Sequence, residues 1–203
     1  VNQVQVNSEI GLTFASALRS ILRQDPNIIM IGEIRDTETA QIAVRASITG
    51  HLVLSTIHTN NSLNTIERLT DMGVEKYLLA SSLEGIISQK LARRLCPKCK
   101  KERKANDYEK ELIKKALGKD IDQIWTAVGC DDCQNGYTGR IAIHEVLRVT
   151  QDIRDAISDG MPKDELRKLV YSRTQTLLQD GLEKALSGET TIEEILKLIE
   201  LDV

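Results

Sequence analysis

Two short apolar runs constrain this chain more than anything else in it. They lie within Pro26-Asn-Ile-Ile-Met-Ile-Gly-Glu-Ile-Arg-Asp36 and Gly50-His-Leu-Val-Leu-Ser-Thr-Ile-His-Thr-Asn60. Ile28–Ile31 is uninterrupted, follows a proline and is rich in β-branched residues, the pattern of a strand buried on both faces in a helix-covered parallel sheet. Leu52–Ile57 reads the same way, with the small Ser55 and Thr56 inside it. Between them Ile42, Ala43 and Ala46 recur at helical spacing over Thr37–Ile48, and Asp36 or Thr37 supplies the N-cap. Strand, helix and strand within about 30 residues make a βαβ unit, whose crossover is right-handed.

The ends of these strands carry the chemistry, because open α/β sheets bind ligands outside the carboxyl ends of their strands. Glu33 lies just past the first run and His58 just past the second, so an acid and an imidazole project from one sheet edge. A carboxylate in that place can polarise water or hold water around Mg²⁺, which nucleotide hydrolysis requires. Its plainer role is to cap the next helix. A metal held jointly by Glu33, His51 and His58 is excluded by the same geometry. His51 opens the run that His58 closes, and a regular strand puts the two at opposite ends.

Hydrophobic residues make up 41% of the 203-residue chain, enough for a core, and aromatics only 3%, so that core is aliphatic. A net charge of −3 argues against a dedicated nucleic-acid binder. No apolar run approaches the roughly 20 residues of a membrane span. With no signal peptide visible, the expected compartment is the cytoplasm.

Gly32-Glu-Ile-Arg-Asp36 resembles the Walker B segment of the secretion ATPases that assemble type IV pili and drive type II secretion, and Gly50–Asn60 resembles their histidine box. The similarity runs on through Gln3–Asn7, Leu12–Asp25 and the later cysteines. It implies an α/β fold, with residues 1–95 the carboxyl-terminal part of a RecA-like parallel-sheet ATPase domain. It implies a hexamer working at the inner membrane through platform proteins, with ATP and Mg²⁺ at subunit interfaces. Glu33 would then orient the attacking water, His58 would contact the γ-phosphate region, and His51 joins the catalytic set because the family's box contains it. No G-x-x-x-x-G-K-[ST] phosphate loop is present. The chain is therefore expected to be the carboxyl-terminal portion of a longer ATPase, inactive by itself. The competing reading is a zinc-stabilised interaction module that hydrolyses nothing.

Along the rest of the chain, Val4–Val6 reads as a short strand. Thr13 caps a helix whose apolar face is Phe14, Leu18, Ile21 and Leu22, and Arg19 and Arg23 fall on the opposite face. Two guanidinium groups there can bind phosphate oxygens bidentately, and the resemblance assigns them to a nucleotide site shared between subunits. Ser62 opens a helix carrying Leu63, Ile66 and Leu69, and Tyr77–Leu95 reads as a second amphipathic helix. A basic stretch follows: Lys90, Arg93, Arg94, Lys98, Lys100, Lys101, Arg103 and Lys104. With no aromatic residue interleaved, it reads as a solvated collar or a surface for an acidic partner rather than a base-reading site.

Cys96-Pro-Lys-Cys99 and Cys130-Asp-Asp-Cys133 account for all four cysteines. Two C-x-x-C knuckles in a reducing compartment indicate tetrahedral Zn²⁺, structural because no coordination position stays open. The insert between them is expected to hold one helix near Tyr108–Leu117, with metal rather than burial supplying most of its folding energy. Asn135-Gly136 signals a turn, and Gly139–Leu147 alternates as a strand, with His144 structural. Arg140 is a nucleotide-contact candidate through the family's similar glycine–arginine pair. Residues 96–149 thus form a zinc subdomain with its following strand. Residues 150–203 form a small all-α domain, with helices at Ile153–Ser158, Lys163–Ser172, Leu177–Leu186 and Ile192–Ile199, the last opened by Thr190 or Thr191.

Overall fold

The computed structural model describes residues 1–200, and they divide into two compact units. The first comprises Val1–Ile86 and Leu147–Ser172. The second comprises Ile87–Val146 and the chain from Arg173 onward.

In the first unit, α1 (Phe14–Ile21) opens on a capping box in which Thr13 and Ser16 satisfy each other's backbone amides. β1 (Ile28–Ile31) then leads into α2 (Thr37–Ile48), capped by Asp36, and β2 (Leu52–Ser55) returns parallel to β1 with Ile28 opposite Leu52. This is the βαβ unit expected, with its helix bounds as read. The burial is not as expected. Leu18, Ile29, Ile31 and Ala43 pack together under α1 and α2, while Ile28 and Met30 are 63% and 76% exposed beside Leu52 and Leu54. The pair is two strands wide among the described residues, and the two helices cover one face of it only. Val4–Val6 is not a strand: Asn7 instead bridges to Leu12 around a 3-10 turn at Ser8–Ile10.

α3 (Ser62–Asp71) and α4 (Lys76–Ser82) follow, then α6 (Gln151–Ser158) and α7 (Lys163–Tyr171). Their inner faces enclose Leu63, Ile66, Leu69, Leu79, Ile153, Ile157 and Val170 in one apolar core.

The amphipathic helix expected over Tyr77–Leu95 is a correction. α4 stops at Ser82, and Gly85–Leu95 is a strand, β3, paired with β6 (Tyr137–Arg148). Ile86, Ser88 and Ala92 are buried at even positions, while Ile87, Gln89 and Leu91 between them face outward. Gly85 ends the helical stretch and β-branched Ile86 and Ile87 favour extension.

The second unit gathers β4 (Lys101–Lys104), α5 (Asp107–Leu117), β5 (Gln123–Thr126), α8 (Leu177–Leu186) and α9 (Ile192–Glu200). β4 and β5 form an antiparallel hairpin around α5 that the sequence reading did not anticipate. The insert does not stand alone on a metal. Ala105, Ile113 and Ile124 are buried in one cluster with Leu182, Ala185 and Ile192 from the terminal helices. The four helices fall close to the stretches expected, but α6 and α7 belong to the first unit and α8 and α9 to the second, and the last three residues of the expected 150–203 domain lie outside the described residues.

The basic stretch is a solvated collar in part only: Arg94, Lys101 and Lys104 are exposed, while others of its residues are engaged within the unit. Arg93 clamps Glu194 with Nε and Nη2 at 3.0 and 2.6 Å and lies over the Tyr137 ring. Arg103 makes a two-pronged pair with buried Glu109. Lys100 donates to Gly188 O at 2.7 Å above Trp125, Lys90 to Leu198 O, and Lys98 pairs with Asp132. No helix among the described residues is long and apolar enough to cross a membrane.

Candidate functional site

The parallel pairing of β1 with β2 fixes the site, because it continues beyond both strands. Thr56 Oγ1 donates to Gly32 O at 2.7 Å and Ile34 N to Thr56 O at 2.9 Å, lacing the loop after β1 to the loop after β2. Asp36 then turns the chain into α2, its two carboxylate oxygens taking Thr39 N and Thr39 Oγ1, each at 2.8 Å. Glu33 therefore does not cap this helix, and its carboxylate stays available.

That carboxylate is 20% exposed, and its Oε2 is shielded from solvent with no donor aligned on it. Arg35 Nε lies 2.5 Å from this oxygen as an ion pair, and His58 Nε2 lies 3.4 Å from the same oxygen. Arg35 holds the Glu33 carboxyl below the usual carboxylate range, against the opposing effect of burial, with His58 adding to the lowering. Acid and imidazole thus meet at one edge of the parallel pair, where the sequence placed them. Arg35 was missed, although it stands in the same Gly32–Asp36 motif; the only signal for it was that proximity.

The remaining residues proposed from sequence fall elsewhere. His51 precedes β2, and its Nδ1 lies 2.9 Å from Ala46 O and 3.3 Å from Thr49 Oγ1, an anchor for the turn out of α2. The fold does not bring it to Glu33. Arg19 sits on α1 paired with Glu38 of α2, both more than half exposed, and Arg23 is exposed beyond the end of that helix. Arg140 is exposed on β6 in the second unit. His144 donates its backbone amide to Asp180 and sets its ring Nε2 3.1 Å from Gln89 Oε1, a structural placement.

The four cysteines do converge. Cys96 Sγ is 4.0 Å from Cys130 Sγ, Cys99 Sγ is 3.7 Å from Cys133 Sγ, and Cys130 Sγ is 3.6 Å from Cys133 Sγ. All four sulfurs lie within 4.8 Å of one another. A tetrahedron with metal–sulfur bonds of about 2.3 Å has sulfur–sulfur edges of about 3.8 Å, so the set fits one metal ion. The knuckle is built by backbone: Lys100 N returns to Cys96 O, Cys133 N to Cys130 O, and Cys96 N reaches Gly136 O. Asn135 and Gly136, with φ of 51° and 85°, make the turn beside it. A side chain at Gly136 would meet Ala127 Cβ at 2.6 Å. Burial pushes the Cys99 thiol above its ordinary value, a cost that a bound cation removes.

The family model for type II/IV secretion system proteins matches residues 1–197. The chain belongs to this family. It is 48% identical over 200 residues to a putative type II secretion system protein E of Escherichia coli strain K12, covering 98% of this chain and 40% of that protein. It is 43% identical over 199 residues to the type II secretion system ATPase E of Vibrio cholerae, covering 98% and 39%. The type IV pilus assembly ATPase PilB of Myxococcus xanthus is 48% identical over 200 residues, covering 96% and 35%. The chain thus spans about 40% of the length of the type II secretion relatives it matches. Among solved structures, the pilus retraction motor PilT with bound ADP superposes with a TM-score of 0.65 at 29% identity, covering 92% of this chain and 43% of that one. The Legionella pneumophila ATPase DotB gives the same TM-score at 24% identity, covering 94% and 43%, a likeness of fold alone. Relatives by sequence thus include proteins named as ATPases, and the structural neighbours include a pilus retraction motor.

Proposed function

We propose that this chain is the carboxyl-terminal part of a hexameric cytoplasmic ATPase that couples ATP hydrolysis to type II secretion or pilus assembly. The observation that carries the reading is the Glu33–His58 pair at the carboxyl edge of β1 and β2, in a chain that matches the secretion family almost end to end. Glu33 polarises the attacking water as general base, held by the loop lacing at Gly32 and Thr56. His58, 88% exposed, is free to contact the terminal phosphate. Mg²⁺, when bound, would supply charge neutralisation on the phosphates.

Arg19 on the outside of α1 and Arg23 just beyond its end serve the nucleotide site of a neighbouring subunit, with Arg140 a further contact. His51 supports the strand that carries His58. The four cysteines hold one structural Zn²⁺, all-thiolate and closed to substrate. The partners are copies of the same protein and inner-membrane platform proteins, which keep the motor peripheral to that membrane.

The sharing of sites between subunits has a direct test in a protein of the relatives' full length. Arg23→Ala subunits retain Glu33, and Glu33→Gln subunits retain Arg23, so an interface between one of each can pair two intact halves. Mixtures are expected to recover ATP turnover that neither variant shows alone. Mixtures no more active than either parent would place the arginines in their own subunit.

A further inference from the structure

Glu33 Oε2 is contested. Arg35 Nε stands 2.5 Å from it and His58 Nε2 3.4 Å, and the oxygen itself is closed to water, so solvent does not separate the rivals. We propose that Arg35 is a positioning residue of this centre, whose guanidinium holds Glu33 Oε2 and keeps that oxygen from pairing closely with His58. The inference rests on reading Glu33 as the hydrolytic carboxylate.

Three observations support it. Arg35 and Glu33 share the short loop between β1 and α2, so Arg35 reaches the carboxylate without any other element moving. The charged groups facing Glu33 are Arg35 from its own loop and His58 from the loop after β2, and Arg35 is the stronger influence on the carboxyl. Finally, Arg35 is 70% exposed, so its guanidinium is free to leave. An exposed ion pair usually contributes little to stability, so the role is one of orientation rather than folding. A guanidinium also matches a phosphate at least as well as a carboxylate. Any phosphate that draws Arg35 away hands Oε2 to the imidazole, raising the basicity of His58 beside the anion.

The test uses this chain and reads no turnover, so failure of the hydrolytic reading and failure of this one are separable. The imidazole of His58 is titrated by nuclear magnetic resonance in wild type, Arg35→Gln, Glu33→Gln and the double variant. Arg35→Gln is expected to raise the His58 midpoint by a few tenths of a pH unit, the scale of an exposed charge pair. Most of that rise should vanish when Glu33→Gln is added, since it is transmitted through the carboxylate. Arg35→Lys, a point charge in place of the fork, should give a smaller rise, and it stands in should Arg35→Gln misfold. An unmoved His58 midpoint, or a rise equally large without Glu33, overturns the proposal.

Discussion

Glu109 shows how much one carboxylate decides here. It closes the capping box of α5 by accepting the Asn106 amide at 2.9 Å, and both its oxygens take the Arg103 guanidinium, at 2.6 and 2.9 Å. The side chain is 6% exposed. Arg103→Met would strand this charge, and losing one partner of a buried pair costs about 3 kcal/mol, measurable as a shifted urea midpoint. Arg103 depresses the Glu109 carboxyl, and Arg93 depresses that of Glu194. The unfolded chain therefore binds more protons than the folded one through this range. Their stabilisation is fully present above the ordinary value of 4.5 and is lost as pH falls through the lowered folded values. A pH series of melts should show acid loss beginning below that point, and the loss should shrink in Glu194→Gln. Glu33 and His58 were legible in the sequence because the end of an apolar run marks the end of a strand. Arg35 was not, since nothing in spacing says which way a loop arginine turns.

At the scale of elements, α1, α2, α3 and α8 were readable because their caps and apolar stripes agree: Thr13, Asp36, Asn61 and Thr176 each close on an amide three residues ahead. β3 was misread because Ile86, Ile87, Leu91, Ala92 and Leu95 satisfy a helical stripe nearly as well as an alternating one, and strand pairing with β6 decided between them. The convergence of the four cysteines was readable, but not the place of the insert in a larger core, since its packing partners in α8 and α9 are distant in sequence. The insert's response to metal loss is therefore expected to be confined. After chelation, amide exchange around residues 96–99 and 130–133 should accelerate by about a hundredfold or more. α5, anchored by Ile113 on Leu182 and Ala185, should change by less than about tenfold. Collapse of α5 protection along with the knuckle would return the folding of the insert to the metal. Zinc content of one per chain, in protein purified under reducing conditions, is the companion expectation.

At the scale of the whole molecule, the chain presents the proposed catalytic edge without a phosphate-loop motif in its sequence. Backbone amides and a lysine arranged around β- and γ-phosphates provide most of the ground-state grip in nucleotide sites, and the sequence holds no such loop. Calorimetric titration of this chain with Mg-ATP should show affinity no tighter than about millimolar, near −4 kcal/mol; micromolar binding would contradict that expectation. The exposed apolar face of β1 and β2, with Met30 and Ile28 outermost, belongs to the same scale. The sequence implied it would be covered, and the described residues cover only one side. The central claim is that Glu33 is the hydrolytic carboxylate, and one substitution reaches it most directly. In a protein of the relatives' full length, Glu33→Gln keeps the shape of the side chain and removes the charge that polarises water. The account predicts nucleotide binding within a few-fold of wild type and ATP turnover lowered by at least about a hundredfold. Turnover within a few-fold of wild type would contradict it.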